Sequence, residues 1–474
     1  MATGEPTEER ERFSSRLGFI MVAAGCAIGL GNVWRFPFIT GQYGGAAFIV
    51  IYLVFLVILG LPVMVMEFAV GRASQRSTAR AFEVLPSRRS FAWFGPWGYV
   101  GSYLLLMFYT TVCGWMLAYI PRLASGMFTQ TSAELTATAF SALIGNPAEL
   151  IAWMLVSVAV GVVVCGLGVE KGVERITKVM MTMLLVIMVA LCARAVTLPG
   201  AGAGIAFFLS PDFSHLFAGS SASEQLSTFG EAVYAAMGQA FFTLSVGMGG
   251  QEIFGSRIGR ENRLTSEALS TVAMDTSVAI MAGLIIFPAC FAYGINPDAG
   301  PSLVFVTLPM VFGQMPLGEL WGALFFVFMG FAALSTVIGV FELLVTWSMD
   351  RWGQSRRKAV LINGLALALL SVPCALGFSV WSGVQIPGIG DIQSIEDFVV
   401  SNNILPLGGI IFAIFCTSKK GWGWKNFLNE ANTGKGLRFP GFMRLWCTYG
   451  IPALGVIIFV MGYAPKIMAW AGLG

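Results

Sequence analysis

The sequence predicts an all-α protein that crosses a membrane many times. Of its 474 residues, 56% are hydrophobic and only 11% are charged, whereas soluble domains are about 25% charged. The mean hydropathy is +0.77. Apolar runs of 18 or more residues recur between clusters of charge, and runs of this length are typical of transmembrane helices. The 28 basic and 25 acidic residues are too few to form the charged exterior of a soluble protein of this size.

The remaining composition excludes several functional classes. A net charge of +3 is too small to indicate a nucleic-acid partner. The eight cysteines are scattered singly through apolar runs without metal-ligand spacing. The single histidine, His215, lies in a polar loop. We therefore expect no nucleic-acid binding, no metal cluster and no histidine-based catalysis, and the chain is not predicted to be an enzyme.

Reading the apolar runs in order gives eleven predicted spans, each bounded by polar or charged residues. They are 17–39, 43–70, 91–122, 149–167, 173–197, 228–256, 267–294, 318–349, 359–381, 394–417 and 440–465. Residues 1–16 form a polar N-terminal segment, residues 17–417 a ten-helix core, and residues 440–465 an eleventh helix. The core is predicted to contain two five-helix repeats, 17–197 and 228–417.

The loops predict the orientation, because 24 of the 28 lysines and arginines lie before span 1 or in alternate loops on the same side. Basic loops mark the cytoplasmic side of a membrane protein. The N-terminus is therefore predicted to be cytoplasmic, in a multi-pass protein of the cell inner (plasma) membrane. The protein is predicted to contact the lipid bilayer. The sequence is compatible with either a monomer or a homodimer.

Spans 1 and 6 each contain glycines near the middle, flanked by polar residues, at 25–37 and 243–250. Gly25 and Gly29 also form a GxxxG pair that could serve helix packing. However, glycine-broken spans at matching places in two halves are typical of an inverted repeat with discontinuous helices around a central site. Unwound backbone there frees carbonyls for cations and amides for a carboxylate.

Ionisable residues within spans are costly and usually functional. Arg35, Glu67, Asp275 and Glu342 lie within predicted spans. We interpret Glu342 as lying near the cytoplasmic end of a long helix. Glu67 is predicted to have a structural role, accepting hydrogen bonds from the broken backbone of spans 1 and 6. For Ser335 and Thr336, taken alone, bonds to carbonyls of their own helix are the expected role.

These residues resemble the neurotransmitter:sodium symporters, which share the leucine-transporter fold. The motifs are Arg-Leu-Gly at 16–18, Gly-Leu-Gly-Asn-Val-Trp-Arg-Phe-Pro at 29–37, Glu67 with Gly71 and Arg72, and Gly-Gln-Ala-Phe-Phe-Thr-Leu-Ser at 238–245. The resemblance extends from Arg10 to about span 10. It implies a 5+5 inverted repeat with discontinuous helices 1 and 6, and transport by alternating access, in which spans 1, 2, 6 and 7 rock against a scaffold that includes spans 3, 4, 8 and 9.

The resemblance also implies two Na⁺ sites and one substrate site. Sodium 1 would use Ala27, Asn32, Thr243 and Asp275, together with the substrate carboxylate. Sodium 2 would use Gly25, Ile28, Ala332, Ser335 and Thr336. The substrate would be bound by Ala27, Leu30, Gly31, Leu105, Tyr109, Phe242, Thr243, Ser245, Met248, Thr336 and Val340, with Val112 also beside its side chain. Arg35 and Asp397 would close an outer gate, and Arg10, Phe13 and Asp350 an inner gate. Arg257 departs from the family, which usually has a tyrosine there.

The expected substrate is a neutral hydrophobic or aromatic L-amino acid. Monoamine transporters of the family carry an aspartate where this chain has Gly29, so the substrate should bring its own carboxylate. The apolar pocket offers nothing to pair a charged side chain, whose burial costs several kcal/mol. Another small zwitterion is the main alternative, ahead of a monoamine transporter or an ion channel. A nonconducting regulatory relative would be expected to lose sodium ligands.

Transport is also expected to be independent of chloride. The family's chloride site corresponds to Tyr52, Gln239, Thr243, Asp275 and Ala279. Asp275 stands where relatives have asparagine and brings a fixed negative charge next to sodium 1. A chloride within a few ångströms of that carboxylate would be strongly repelled at low dielectric.

Overall fold

The computed structural model describes residues 11–88, 90–294 and 303–470. The described part is mostly helical, and apart from two isolated bridges it contains no β-structure. The first half of the chain contains α1 (Arg16–Ala27), α2 (Phe36–Gln42), α3 (Ala46–Phe55), α4 (Leu61–Ser74), α5 (Thr78–Val84), α6 (Gly95–Ala124), α7 (Ala133–Ile144), α8 (Pro147–Gly166), α9 (Arg175–Val196) and α10 (Ala201–Leu209).

The second half of the chain likewise combines one broken helix with several long ones. It contains α11 (Ala222–Thr243), α12 (Gly250–Gly255), α13 (Leu264–Ala292), α14 (Leu308–Gln314), α15 (Gly318–Trp352), α16 (Arg356–Leu376), α17 (Ile392–Val399), α18 (Leu405–Thr417), α19 (Trp424–Ala431) and α20 (Ile451–Trp470). Single π-helical turns join several of them, at Gly31–Arg35, Leu56–Gly60, Val169–Glu174, Leu303–Thr307, Val400–Ile404 and Trp446–Gly450.

Within the described residues, nine helices are long and apolar enough to cross a membrane, or ten if the bent pair α1–α2 is one span. Segments α11 and α12 lie where span 6 is predicted, but neither is long and apolar enough to be counted. The predicted number of eleven therefore stays a prediction, as do the repeat boundaries.

The break in the first span has a clear geometry. The axes of Arg16–Ala27 and Gly31–Gln42 differ by 57°. Ile28 ends α1 in extended conformation, with ψ 108°, and Ser15 caps its start by accepting a hydrogen bond from Gly18 N–H. Carbonyls that a continuous helix would bond internally are thus available near the middle of this span.

The second break lies between α11 and α12 and depends on backbone conformations that favour glycine. Gly247 and Gly249 have φ of 101° and 82°, and Ser245 has φ of 50°. A side chain at Gly247 would meet the backbone of Leu405. This close approach and the positive φ together explain why glycine occupies the turn.

Two sets of helices meet at these breaks. Helix α15 packs against α6, α8, α9 and α16, and α6 also contacts α8 and α16. Helices α1 and α4 each contact α12 and α13, and α1 also lies against α15. Both breaks therefore lie next to α6 and α15, in the centre of the helix bundle.

Candidate functional site

A small cavity lies between the two broken spans, α6 and α18. Its volume is about 10 Å³, which is close to the space that one water molecule needs. The lining combines residues of both breaks with side chains from three further helices: Ala27, Gly31, Leu105, Tyr109, Phe242, Ser245, Met248, Thr336 and Leu405. None of these side chains carries a charge.

Eight of the nine lining residues are among the predicted substrate contacts. Leu30, Thr243 and Val340 are buried but do not line the cavity in the described part of the chain. Leu405 is the residue that the sequence reading missed. It begins α18 directly after a π-helical turn and before Pro406, and this irregular start of a helix was the available signal.

Tyr109 connects α6 to the first break. Its hydroxyl accepts a hydrogen bond from the Leu30 N–H at 2.8 Å. A Cβ added at Gly29 would collide with this hydroxyl and with Thr336 Oγ1. The first break, α6 and α15 therefore meet at one polar point in an otherwise apolar pocket.

A second polar cluster is formed around Asp275 of α13, which is fully buried. One carboxylate oxygen accepts a hydrogen bond from the Asn32 amide at 2.8 Å, and the other accepts one from the Thr243 hydroxyl at 2.9 Å. Asn32 Oδ1 in turn accepts the Gly29 N–H at 3.1 Å. Asn32 and Thr243, two of the other residues assigned to sodium 1, thus both bond the Asp275 carboxylate.

The neighbours of this cluster include the positions that correspond to the family's chloride site. Gln239 donates its amide hydrogen to the Gly31 carbonyl at 2.9 Å, and Tyr52 and Ala279 are both buried. Ala279 offers no charge, so among these positions the Asp275 carboxylate is the anionic group.

A third cluster gathers hydroxyls and carbonyls between α1 and α15. Thr336 donates to the Ile28 carbonyl at 3.1 Å, and Ser335 donates to the Ala332 carbonyl at 2.9 Å. A longer contact of 3.5 Å joins Ser335 Oγ to Ile28 O. The Ser335–Thr336 pair therefore bonds carbonyls of its own helix, as expected from the residues alone, and also reaches the backbone of the first break.

Glu67 of α4 supports the second break. It is fully buried and accepts a hydrogen bond from the Gly247 N–H. This bond joins Glu67 to span 6. Among the described residues, Glu67 forms no hydrogen bond with span 1, where one is also expected. Ser245, at the same break, reaches the Cys26 carbonyl at 3.5 Å and so links the two broken spans directly.

The cavity is covered on one side by an aromatic ring and a cation. The Arg35 guanidinium lies 4.6 Å from the centre of the Phe242 ring. Arg35 and Asp397 form no direct ion pair in the described residues. Instead, Ser401 donates to Asp397 at 2.8 Å and receives a hydrogen bond from Arg35 at 3.4 Å. Ser401 follows Asp397 by four residues on the same helical face, a spacing that could have indicated this role.

The opposite side is closed by the N-terminal segment. Phe13 packs against Phe19 and Phe254, with ring centres 5.8 and 6.4 Å apart. Asp350 accepts a hydrogen bond from the Ser77 N–H at 2.6 Å. Arg10, the third residue assigned to the inner gate, lies outside the described residues.

A buried charge network lies next to this closure. Glu342 is 1% exposed and forms ion pairs with Arg257, at 2.7 Å, and with Arg356. Arg257 also donates to Thr346 at 2.8 Å. The sequence reading located Glu342 near the end of a long helix and did not anticipate this triad. Arg257 departs from the usual tyrosine, and that departure was the signal that a charged partner was required.

Comparisons with known proteins match nearly the whole chain. The profile of the sodium:neurotransmitter symporter family matches residues 10–131 and 127–468. The chain is 35% identical over 451 residues to the sodium-dependent transporter YhdH of Bacillus subtilis, covering 95% of this chain and 97% of that protein. It is 31% identical over 469 residues to a sodium-dependent transporter of Haemophilus influenzae, covering 96% and 98%. The crystal structure of MhsT in complex with L-phenylalanine matches with a TM-score of 0.84 at 37% identity, over 96% of this chain and all of that one (100%).

Proposed function

Because the chain belongs to the sodium:neurotransmitter symporter family and has the leucine-transporter fold, we propose that it imports neutral hydrophobic and aromatic L-amino acids together with sodium. It is a sodium symporter and not an enzyme. We further propose that it has two sodium sites and does not require chloride. Import would proceed by alternating access across the plasma membrane, with the N-terminus in the cytoplasm.

The observation that carries the substrate proposal is the uncharged cavity between the broken spans. The Leu30 N–H and the Tyr109 hydroxyl meet at its polar end, and both can donate to a carboxylate once they no longer bond each other. The remaining lining is mainly apolar, with Leu105, Met248 and Leu405. A charged substrate side chain there would be buried without a partner, at a cost of several kcal/mol.

A monoamine fits this cavity poorly. Monoamine transporters of the family carry an aspartate for the amine at the position that Gly29 occupies here, and Asp275, the acidic side chain near this break, already accepts hydrogen bonds from Asn32 and Thr243. A side chain at Gly29 would displace both Tyr109 and Thr336. The substrate is therefore proposed to carry its own carboxylate, which would complete the sodium 1 site.

The size of the substrate depends on how far the cavity can expand. At about 10 Å³ it is closed, so an amino-acid side chain requires movement of its lining. Met248 has three rotatable side-chain bonds and can repack around ligands of different shape, and the Phe242 ring lies at the covered side. The related MhsT binds L-phenylalanine, which supports an aromatic substrate here.

The oxygen clusters supply the proposed sodium ligands. Sodium prefers hard oxygen ligands, and the cluster around Asp275 offers a carboxylate, an amide oxygen and a hydroxyl. The cluster around Ser335 and Thr336 offers hydroxyls together with the carbonyls of Ile28 and Ala332. The hydroxyl hydrogens now point to these carbonyls and would turn away when a cation binds.

The same carboxylate supports chloride independence, because Asp275 already provides the negative charge next to sodium 1. Replacing chloride with gluconate at constant sodium is expected to leave uptake unchanged. Asp275→Asn should abolish uptake or make it responsive to chloride. A large loss of wild-type uptake in gluconate would contradict the proposed role of Asp275.

Competition binding tests the substrate class. Labelled L-phenylalanine bound to purified protein in sodium should be displaced by unlabelled tryptophan, tyrosine and leucine, and not by glutamate, lysine or dopamine. Displacement by glycine or a betaine in preference to these large amino acids would favour a small zwitterion. Displacement by dopamine would overturn the requirement for a carboxylate.

A further inference from the structure

A second cavity, unconnected with transport chemistry, lies at the end of α18 on the side that carries most of the basic residues. Its volume is about 340 Å³. Four basic side chains and two tryptophans contribute to its lining: Arg88, Lys419, Lys425, Arg444, Trp422 and Trp424. The described lining includes no aspartate or glutamate.

The positive charge of this basic cavity is not neutralised by the protein. Arg88, Lys419, Lys425 and Arg444 form no ion pair with any described residue. By contrast, other arginines on this side, such as Arg72, are paired with carboxylates. Four cations around one concave site repel one another, and an anion bound among them would relieve that repulsion.

The wall of the basic cavity is held in place by the turn between α18 and α19. Gly423 has φ of 90° and donates its N–H to the Phe415 carbonyl at 3.2 Å. The Asn426 side chain donates to the Trp422 carbonyl at 2.7 Å, and Trp422 itself is buried. The Trp424 ring packs against Phe427 at 5.3 Å between ring centres. The tryptophans that flank the cations are therefore fixed by the fold.

An apolar groove lies on the neighbouring segment. Its volume is about 540 Å³, and Phe442, Met443 and Trp446 contribute to its lining. Phe442 is 85% exposed. Arg444, between these residues in the chain, contributes to the basic cavity instead. Trp424 of the basic cavity and Phe439 of the groove have ring centres 6.1 Å apart, so the cations and the apolar surface adjoin at the start of the last membrane-crossing helix.

We propose that the basic cavity binds the phosphate headgroup of an anionic phospholipid, whose acyl chains lie against the adjacent apolar surface. The position at the ends of two membrane-crossing helices, Ile392–Thr417 and Gly441–Ala464, locates the site at the depth of lipid headgroups. Basic pockets with interfacial tryptophans at this depth are suited to such lipids. Free phosphate would use the same cations but would gain nothing from the apolar groove.

The test compares lipid retention by two matched triple variants. The protein is reconstituted in nanodiscs with equal amounts of phosphatidylglycerol and phosphatidylethanolamine, and bound lipids are counted by native mass spectrometry after release. The cavity variant is K419Q/K425Q/R444Q. The control, K171Q/R357Q/K358Q, removes the same charge from exposed positions on the same side. Circular dichroism and thermal unfolding verify that both variants are folded.

The wild type and the control are expected to retain phosphatidylglycerol in preference to phosphatidylethanolamine. The cavity variant should lose this preference by at least about tenfold, because it removes three of the four cations that would hold the anionic headgroup. Equal retention by all three proteins would overturn the proposal. Displacement of labelled phosphatidylglycerol by millimolar inorganic phosphate would instead identify a site for free phosphate and would also overturn it.

Discussion

Tyr109 is the residue with the most direct part in the proposed substrate site. Tyr109→Phe removes one hydroxyl donor to a buried carboxylate while keeping the ring. Hydrogen bonds to charged groups contribute about 1.5–3 kcal/mol, so the dissociation constant of L-phenylalanine should rise about tenfold or more. The matched control is Tyr103→Phe on the same helix, whose hydroxyl bonds Asn363 at 2.7 Å. Similar affinities for both variants would remove Tyr109 from the site.

The proposed sodium ligands can be tested by the sodium dependence of binding. Asn32→Ala and Thr336→Ala should each raise the sodium concentration needed for half-maximal binding of L-phenylalanine, because each removes an oxygen ligand. Thr110→Ala is the control, since the buried Thr110 hydroxyl bonds the Leu106 carbonyl of its own helix at 2.8 Å. An unchanged sodium requirement in both site variants would show that the two sites are wrongly assigned.

At the scale of single residues, the sequence predicts site residues that belong to recognisable motifs better than it predicts residues elsewhere in the chain that contact them. Asp275 is singled out in advance as an ionisable residue within a predicted span, and Tyr109 is assigned to the substrate site by the family resemblance. Ser401 and Leu405 of span 10 stand in no such motif, and the spacing of Ser401 from Asp397 and the proline after Leu405 are only weak local signals, since contacts with spans 1 and 6 depend on tertiary packing. The pairing of Glu342 with Arg257 joins residues 85 apart in the chain, and such pairing depends on tertiary packing.

Among the helices and turns, the second break depends most strictly on one residue type, because Gly247 cannot carry a side chain without strain. Gly247→Ala places a side chain against the backbone of Leu405 and forces φ of 101° on alanine. The backbone strain alone costs about 1–3 kcal/mol, so the thermal midpoint should fall and L-phenylalanine binding should be lost. Gly250→Ala, three residues later, is the control because its Cβ would meet only ordinary contacts from 3.6 Å. Equal thermal midpoints and equal L-phenylalanine binding for the two variants would mean that the break tolerates a side chain at position 247.

Long apolar runs predict most of the membrane-crossing helices, because length and hydropathy are properties of the local sequence. The break within span 1 is also predicted, from its glycines and polar residues. The short helices α5, α7 and α19 and the π-helical turns are not predicted, since their boundaries depend on packing and capping rather than on hydropathy. The 57° bend between Arg16–Ala27 and Gly31–Gln42 likewise requires the neighbouring helices.

For the whole molecule, the buried triad around Glu342 is expected to contribute to stability. Glu342→Gln removes the buried carboxylate that pairs with the buried Arg257 and the half-buried Arg356, and breaking a buried ion pair typically costs about 3–5 kcal/mol. The control is Glu83→Gln, which breaks the exposed pair of Glu83 with Arg351, worth at most about 1 kcal/mol. Denaturation in detergent should therefore distinguish the two variants clearly. An equally small effect of both substitutions would contradict a stabilising role for the triad.

Sodium entry is proposed to drive the uptake of a neutral hydrophobic amino acid. The most direct measurement is accumulation of labelled L-phenylalanine in proteoliposomes with sodium outside and potassium inside. We predict accumulation above the external concentration that disappears when a sodium ionophore dissipates the gradient. Equal uptake with and without the sodium gradient, or equilibration without accumulation, would contradict sodium-coupled import.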